Sequence, residues 1–256
     1  MHLPDDHFQL KLAENEADLR AAQRLRYEIF VAELGGDGPL VDHAARLERD
    51  DYDPYYDHLL LIDTRREPDD RVVGVYRLLT CEGAERLGRF YTEDEYDLTP
   101  LKNSGRRLLE LGRSCVHRDY RGGTALFHLW NGLADYVLDR RIEVLFGVAS
   151  FHGTDAAALA EPLSYLHHHF LAPVPLRVRV RPEQCQAMDL LPEAQIDRKR
   201  AMLAMPQLIK AYLRLGGFVG EGAFIDHAFN TTDVCLVMDT ARMNQKSRAR
   251  YTRGRG

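Results

Sequence analysis

Two side chains three residues apart carry the strongest chemical signal in the chain. They are Glu110 and Arg113, in Leu108-Leu109-Glu110-Leu111-Gly112-Arg113-Ser114-Cys115-Val116. A carboxylate flanked by two leucines on a strand is unusual unless it is paired or moves a proton, and a guanidinium at i+3 would tune its ionisation. Two readings stand here: Glu110 as general base beside Arg113, or an ion pair that only fixes the strand. Further on, Arg121-Gly122-Gly123-Thr124 is a glycine turn ahead of a helical stretch. Its backbone N–H groups and positive helix end suit a phosphate, with Arg118 and Arg121 adding charge. Other reactive residues are weaker signals. Cys115 has no histidine at a recognisable spacing, so covalent catalysis is not expected. His167, His168 and His169 are consecutive and point apart on a helix, so no metal is expected. Asp226, Asn230, Thr231 and Asp233 suit either the charged groups of an amino acid or the stabilisation of a turn.

These groups need elements to hold them. Phe8 to Leu12 alternates as a first strand. Asn15 is a candidate N-cap for a helix from Glu16 to about Leu34, stopped by Gly35-Gly36-Asp37-Gly38-Pro39. The polar, Asp- and Tyr-rich stretch from Val41 to Asp57 reads as a long loop, a length often given to binding loops, and it is assigned to the acceptor side. His58–Asp63 and Val72–Cys81 form a hairpin pattern. Glu82 to Leu101 shows no clear period. After the strand from Arg107 to Val116, Leu126, Leu129, Trp130, Leu133 and Val137 keep a helical period, and Val144 to Ala149 reads as a strand buried on both faces. Thr154 or Asp155 is expected to cap a helix over Ala156–Leu159 that Pro162 limits. Leu176 to Arg181 alternates like a strand, with Arg177, Arg179 and Arg181 on one side. Pro206 starts a helix ended by Gly216-Gly217, and Ala223–Phe229 and Val234–Asp239 close the chain as two strands.

The 256 residues suffice for a substantial core, and 45% apolar with 29% charged residues is ordinary for a globular protein. The longest apolar run is far short of the roughly 20 residues a membrane helix needs. The acidic start lacks the features of a signal peptide, and four scattered cysteines fit reduced thiols, so a cytoplasmic location is expected. The net charge of −5 divides into −12 over residues 1–100 and +7 over the remainder. The basic half, with Arg106, Arg107, Arg118, Arg121, Arg140 and Arg141 around the central strand, suits an anionic partner. The alternative is that the halves neutralise each other within the fold. One domain is expected over residues 1–241, followed by a basic, mobile tail over 242–256.

The order of strand, helix, hairpin, then strand-turn-helix resembles the GCN5-related N-acetyltransferase superfamily. Leu25-Arg26-Tyr27-Glu28-Ile29-Phe30 and the Glu110-x-x-Arg113 strand resemble segments of the acyl-homoserine-lactone synthases. Pro206 to Gly217 and Asp226 to Val234 are similar to the bacterial hemolysin-like acyltransferases, a family that includes the ornithine Nα-acyltransferases of ornithine-lipid synthesis. That resemblance implies an α/β fold, a twisted mixed sheet with helices on both faces. It implies direct attack of the α-amine of ornithine on a 3-hydroxyacyl thioester of acyl carrier protein, with no bound cofactor. Glutamine, lysine or glycine is the alternative acceptor, and a non-catalytic carrier- or membrane-binding protein is the rival class. The site would comprise Glu110 and Arg113 for catalysis, and Arg118, Arg121, Gly122, Gly123 and Thr124 for the phosphopantetheine arm of the carrier. Arg26, Asp226, Asn230 and Asp233 would take the acceptor. The glycine turn departs from the superfamily's fuller pattern, which leaves carrier-bound phosphopantetheine at least as fitting as coenzyme A. A peripheral contact with anionic membrane through the basic tail is expected, and no nucleic acid.

Overall fold

The computed structural model describes residues 7–227 and 229–242. Strand β1 (Phe8–Leu12) leads to helix α1 (Glu16–Arg26), whose N-cap Asn15 accepts a hydrogen bond from the Asp18 amide at 3.0 Å. Beyond Arg26 the helix widens into π winding over Tyr27–Glu33 rather than running on as a regular helix to Leu34. Such winding is rare and changes which residues share a face, a feature that recurs near functional sites. Strands β2 (Asp57–Asp63) and β3 (Val72–Thr80) form the expected antiparallel hairpin. The aperiodic stretch after them holds short pieces: α2 (Cys81–Leu87), β4 (Tyr96–Asp97) and α3 (Thr99–Lys102). Helix α2 is two turns long and is marked only by its caps, Thr80 at the start and left-handed Gly88 at the end. Next come β5 (Leu108–Val116), α4 (Ala125–Asp139) and β6 (Val144–His152).

One expectation is reversed in the following segment. Asp155 caps a turn, accepting from the amides of Ala157 and Ala158, and the helix itself is α5 (Ala160–Phe170). Pro162 therefore starts the helix instead of limiting it, because a proline in the first turn lacks only an N–H that would have no partner there. The Leu176–Arg181 stretch also shortens, to a 3-10 turn over Val174–Leu176 and the two-residue strand β7 (Arg179–Val180). Strand β8 (Cys185–Gln186), helices α6 (Arg198–Ala204) and α7 (Gln207–Arg214), and strands β9 (Phe218–Val219), β10 (Ala223–Asp226) and β11 (Thr231–Asp239) complete the chain. Except for Arg242, the basic tail lies outside the described residues.

The chain divides into two compact units, residues 1–88 with 111–141, and 89–110 with 142–256. In the first unit β1, β2 and β3 run antiparallel, and the second half of β5 follows β3. Helix α1 covers one face, with Ala22, Leu25 and Ile29 packed on Leu60, Ile62, Val75 and Cys115. Helix α4 lies on the same three strands. A Cβ at Gly74 would stand 2.7 Å from Leu129, and one at Gly132 would meet Leu10 and Leu59, so the two glycines seat the helix. In the second unit β5 pairs with β6 in parallel over Leu108–Glu110, and β6 pairs with β11 antiparallel over nine residues. β11 carries β10, which carries β8. The sheet is thus mixed, and the near-continuous apolar runs of β2, β3 and β6 reflect strands with little solvent on either side.

Candidate active site

The first unit buries a chain of alternating charges. Arg26, at the end of α1, is 0% exposed and is held by Glu48 and Asp53. Its Nε donates to Glu48, its Nη1 to Asp53 Oδ1 at 2.6 Å, and its Nη2 to the Glu48 carbonyl at 2.9 Å. Arg77 on β3, 1% exposed, donates to both oxygens of Asp50 at 2.7 and 2.5 Å and to Asp53 at 3.1 Å. Its guanidinium also stacks 4.4 Å from the centre of the Tyr56 ring. Arg113 on β5 donates to Glu48 at 3.1 Å and lies 3.5 Å from Asp50. Three arginines and three acids therefore balance one another, as buried charges must. Burial alone would raise Asp53, but Arg26 and Arg77 hold its carboxyl down to about 2. Asp50 is lowered in the same way, against burial, by Arg77 and Arg113. The Nε2–H of His58 donates to the Asp53 carbonyl at 3.1 Å, and burial pushes the ring's pKa down, so it is neutral at pH 7.

The two members that reach solvent are Arg113 and Asp50, with side chains 19% and 18% exposed. Arg113 has φ +47°, in the left-handed region that a β-strand residue without glycine's freedom rarely adopts. That backbone turn in the middle of β5 aims the guanidinium into the network.

Glu110 belongs to the second unit. It is 1% exposed, and its two oxygens accept the amides of Tyr91 at 2.9 Å and Thr92 at 2.6 Å, at the start of a 3-10 turn over Tyr91–Asp94. Two N–H donors favour the charged carboxylate. The turn that follows β5 is exposed. Gly122 has φ +77°, open space surrounds the position its Cβ would take, and no side chain caps the α4 N-terminus at Thr124. Arg121 grips Glu33 through both Nη atoms at 2.5 and 2.9 Å and donates to the Val116 carbonyl. Arg118 is exposed.

A family model for the acetyltransferase (GNAT) domain matches residues 25–131, which span the charge network, β5 and the glycine turn. An L-ornithine Nα-acyltransferase of Rhodobacter capsulatus is 63% identical, the alignment covering 97% of each chain. The chain belongs to the L-ornithine Nα-acyltransferase family. Relatives of the same name from Brucella abortus and Rhizobium meliloti are 43% and 40% identical over 93% of this chain and 86% and 82% of theirs. Among solved structures, FeeM, an N-acyl amino acid synthase from uncultured soil microbes, superposes with a TM-score of 0.52 at 11% identity over 92% of both chains. A CoA-dependent acyl-homoserine lactone synthase with SAM and isopentyl-CoA gives 0.51 at 15% identity over 97% of this chain and 88% of its own. At those identities the likeness establishes the shared fold.

In this acyltransferase the expected site residues fall into three groups. Glu110 is buried and hydrogen-bonded by backbone, while Arg113 is engaged by Glu48 and Asp50. Arg26 is enclosed by the protein's own carboxylates, which suits a positioning role better than a direct hand on the acceptor. Asp226 accepts the Phe229 amide at 3.0 Å, Asn230 takes φ +52° in the β10–β11 turn, and Asp233 is buried on β11. Cys115 is buried, and burial pushes its thiol up to about 12, which leaves no thiolate for nucleophilic chemistry. Arg106, Arg140 and Arg179 pair with Asp239, Asp57 and Glu221, so much of the expected basic face is neutralised from within. Sequence reasoning missed Glu48, Asp50, Asp53 and Arg77. The only signal for the first three was the acid- and tyrosine-rich loop that holds them.

Proposed function

We propose that the enzyme moves a 3-hydroxyacyl group from acyl carrier protein to the α-amine of L-ornithine. The 63% identity to an L-ornithine Nα-acyltransferase over nearly the full chain carries this reading. An ammonium cannot attack a thioester, so the α-amine must lose its proton first. Glu110, whose oxygens accept two backbone amides, receives that proton. The free amine then attacks the thioester carbon, and the oxygen gains negative charge in the tetrahedral intermediate. Arg113, fixed by Glu48 and Asp50 yet open to solvent, stabilises that oxyanion. When the C–S bond breaks, the attacking nitrogen gives up its second proton to solvent, the phosphopantetheine thiolate leaves and recovers the proton held by Glu110, and the neutral amide remains with one H⁺ released overall. Arg26 and Arg77 act from behind by fixing the carboxylates that orient Arg113.

The phosphate of the carrier's arm is assigned to the open N-terminus of α4, at Gly122, Gly123 and Thr124, with Arg118 as the available cation. Arg121 enters by exchanging Glu33 for the phosphate or by meeting the acidic carrier at its edge. No helix among the described residues is long and apolar enough to cross a membrane, and the basic stretch after Arg242 is proposed as the contact with anionic lipid. The test is to incubate the purified protein with 3-hydroxyacyl carrier and a panel of amino acids and weigh the products. A lyso-ornithine lipid as the dominant product is expected. Product only from coenzyme A thioesters, or only with another amino acid, would overturn the donor or the acceptor assignment respectively.

A further inference from the structure

Glu110 is gripped from outside its own strand, by a turn that must itself be held. The amides on its two oxygens belong to Tyr91 and Thr92, at 2.9 and 2.6 Å. They open the four-residue 3-10 turn Tyr91–Asp94, a form whose hydrogen bonds are poorer than those of an α-helix. Glu93 ties that turn together. Its amide donates to the Phe90 carbonyl at 3.3 Å, and its Oε2 accepts the Phe90 amide at 2.8 Å, a reciprocal box. Its Oε1 takes the ammonium of Lys102, the last residue of α3, at 2.7 Å, and its carbonyl takes Nε of Arg181 at 2.6 Å. Phe90 is buried, and its ring meets that of Phe146 edge-on with centres 5.1 Å apart. Phe146 is the β6 residue paired with Glu110 in the parallel register. Downstream, the Arg181 amide donates to the Glu95 carbonyl at 2.8 Å, and the Tyr96 hydroxyl bridges the Gly222 and Asp233 carbonyls at 3.0 and 2.9 Å.

The donors to Glu110 are backbone groups, so exchanging the side chains of Tyr91 or Thr92 leaves both N–H groups in place. Control of their direction lies with the residue that shapes the turn. We propose that Glu93 is a positioning residue for the acyl transfer: it aims the Tyr91 and Thr92 amides at Glu110, while Lys102 cancels its charge. The proposal rests on the reading of Glu110 as the base. A carboxylate gripped at both oxygens is fixed in rotation as well as in place, so it presents one geometry to the proton it receives. Thr92 is 0% exposed, and water cannot stand in for its amide when the turn loosens. A second carboxylate in the same turn would by itself oppose negative charge on Glu110. Its side chain is only 17% exposed, so solvent screens that opposition weakly and the bond to Lys102 is what offsets it.

The test sets Glu93→Ala beside Glu93→Gln, whose amide oxygen still accepts from Phe90. Two quantities are followed: the pH profile of kcat/KM with acyl carrier and ornithine, and the NMR titration of the Glu110 carboxyl carbon, assigned against Glu110→Gln. In Glu93→Ala the acid limb of the profile and the Glu110 titration are expected to move upward together by about one unit, the effect of weakening a hydrogen bond to a charged group. There kcat should fall about tenfold while KM for acyl carrier stays within about twofold. Glu93→Gln should bring kcat back to within about threefold of the wild type and return both titrations. Lys102→Met, at a half-exposed position, should give a smaller upward shift that fades as salt is added. An acid limb and a Glu110 titration that stay in place in Glu93→Ala would overturn the proposal, even with kcat reduced. A Glu93→Gln variant no better than Glu93→Ala would overturn it too. If Glu93→Ala does not fold, Lys102→Met decides: no shift at low salt overturns the proposal. The two readings fail separately. Near-normal turnover in Glu110→Gln would remove the base, and the Glu110 titration would still report whether Glu93 holds that carboxylate. An inactive Glu110→Gln beside an unmoved Glu93→Ala profile would sink only the positioning role.

Discussion

Two buried clusters of ionisable groups sit in this enzyme, one in each compact unit, and they are built on opposite plans. Around Arg26 and Arg77 every carboxylate meets a guanidinium, and Asp53 is held down to about 2. Around Glu95 the strongest neighbours are other carboxylates, and Glu95 is pushed up to about 9. The first arrangement is complete without a ligand and serves to hold Arg113 in place. Burial is common to both, so the sign of the pKa displacement follows the charge of the neighbours rather than burial.

Breaking the compensated cluster should have the largest effect. Arg26→Ala would leave Glu48 and Asp53 buried without their partner and is expected to cost about 3–5 kcal/mol, measured as a lower midpoint in urea unfolding. A loss below 1 kcal/mol would show that water reaches the cluster. Next comes Glu110, whose two oxygens accept the amides of Tyr91 and Thr92. We expect Glu110→Gln to keep carrier binding while lowering kcat by about 10²–10⁴-fold, and near-normal turnover would remove it as the base.

The pH dependence of stability sharpens the contrast, because the two clusters have opposite signs. Asp53 is depressed in the fold, so its contribution is present above the unfolded carboxylate range and is lost as pH falls toward 2. Glu95 is raised, so its contribution is full below the unfolded range near 4.3 and declines as pH climbs to about 9. Urea midpoints in Glu95→Gln should therefore lose the alkaline decline and keep the acid one; a variant that keeps both would place the alkaline loss elsewhere. The smallest effect belongs to the exposed pair of Arg121 with Glu33. Arg121→Glu should change stability by no more than about 1 kcal/mol. It should raise KM for acyl carrier more than for the amino acid, with the difference shrinking as salt is added. An unchanged KM at low salt would count against docking at the glycine turn.

Much of the scaffold was legible because it is periodic or capped locally. The alternation of β1, the β2–β3 hairpin, the stripe of α4 and the apolar run of β6 each repeat a pattern within a few residues. Asn15 and the glycines after α7 announce their helix ends by their own chemistry. The misreadings came where a local signal had two meanings, as with Pro162, or where two turns of helix offered no period, as in α2. The site was legible only in part. Glu110 and Arg113 stood out because they share one strand, but their partners come from a loop and a turn, where no spacing rule operates.

By itself, then, the sequence determined the long strands β1, β2, β3, β5, β6 and β11, the starts of α1, α4 and α7, and the strand-turn-helix unit that carries Glu110, Arg113 and the glycine turn. These depend on interactions within one or two turns of chain. Tertiary structure alone decided that Glu48, Asp50 and Asp53 gather on Arg26, Arg77 and Arg113, and that Glu95 is set among Asp226 and Asp233 from more than a hundred residues away. Charge acts through space and not along the chain. Whether a carboxyl is compensated or stranded is therefore settled only when the fold brings its neighbours together.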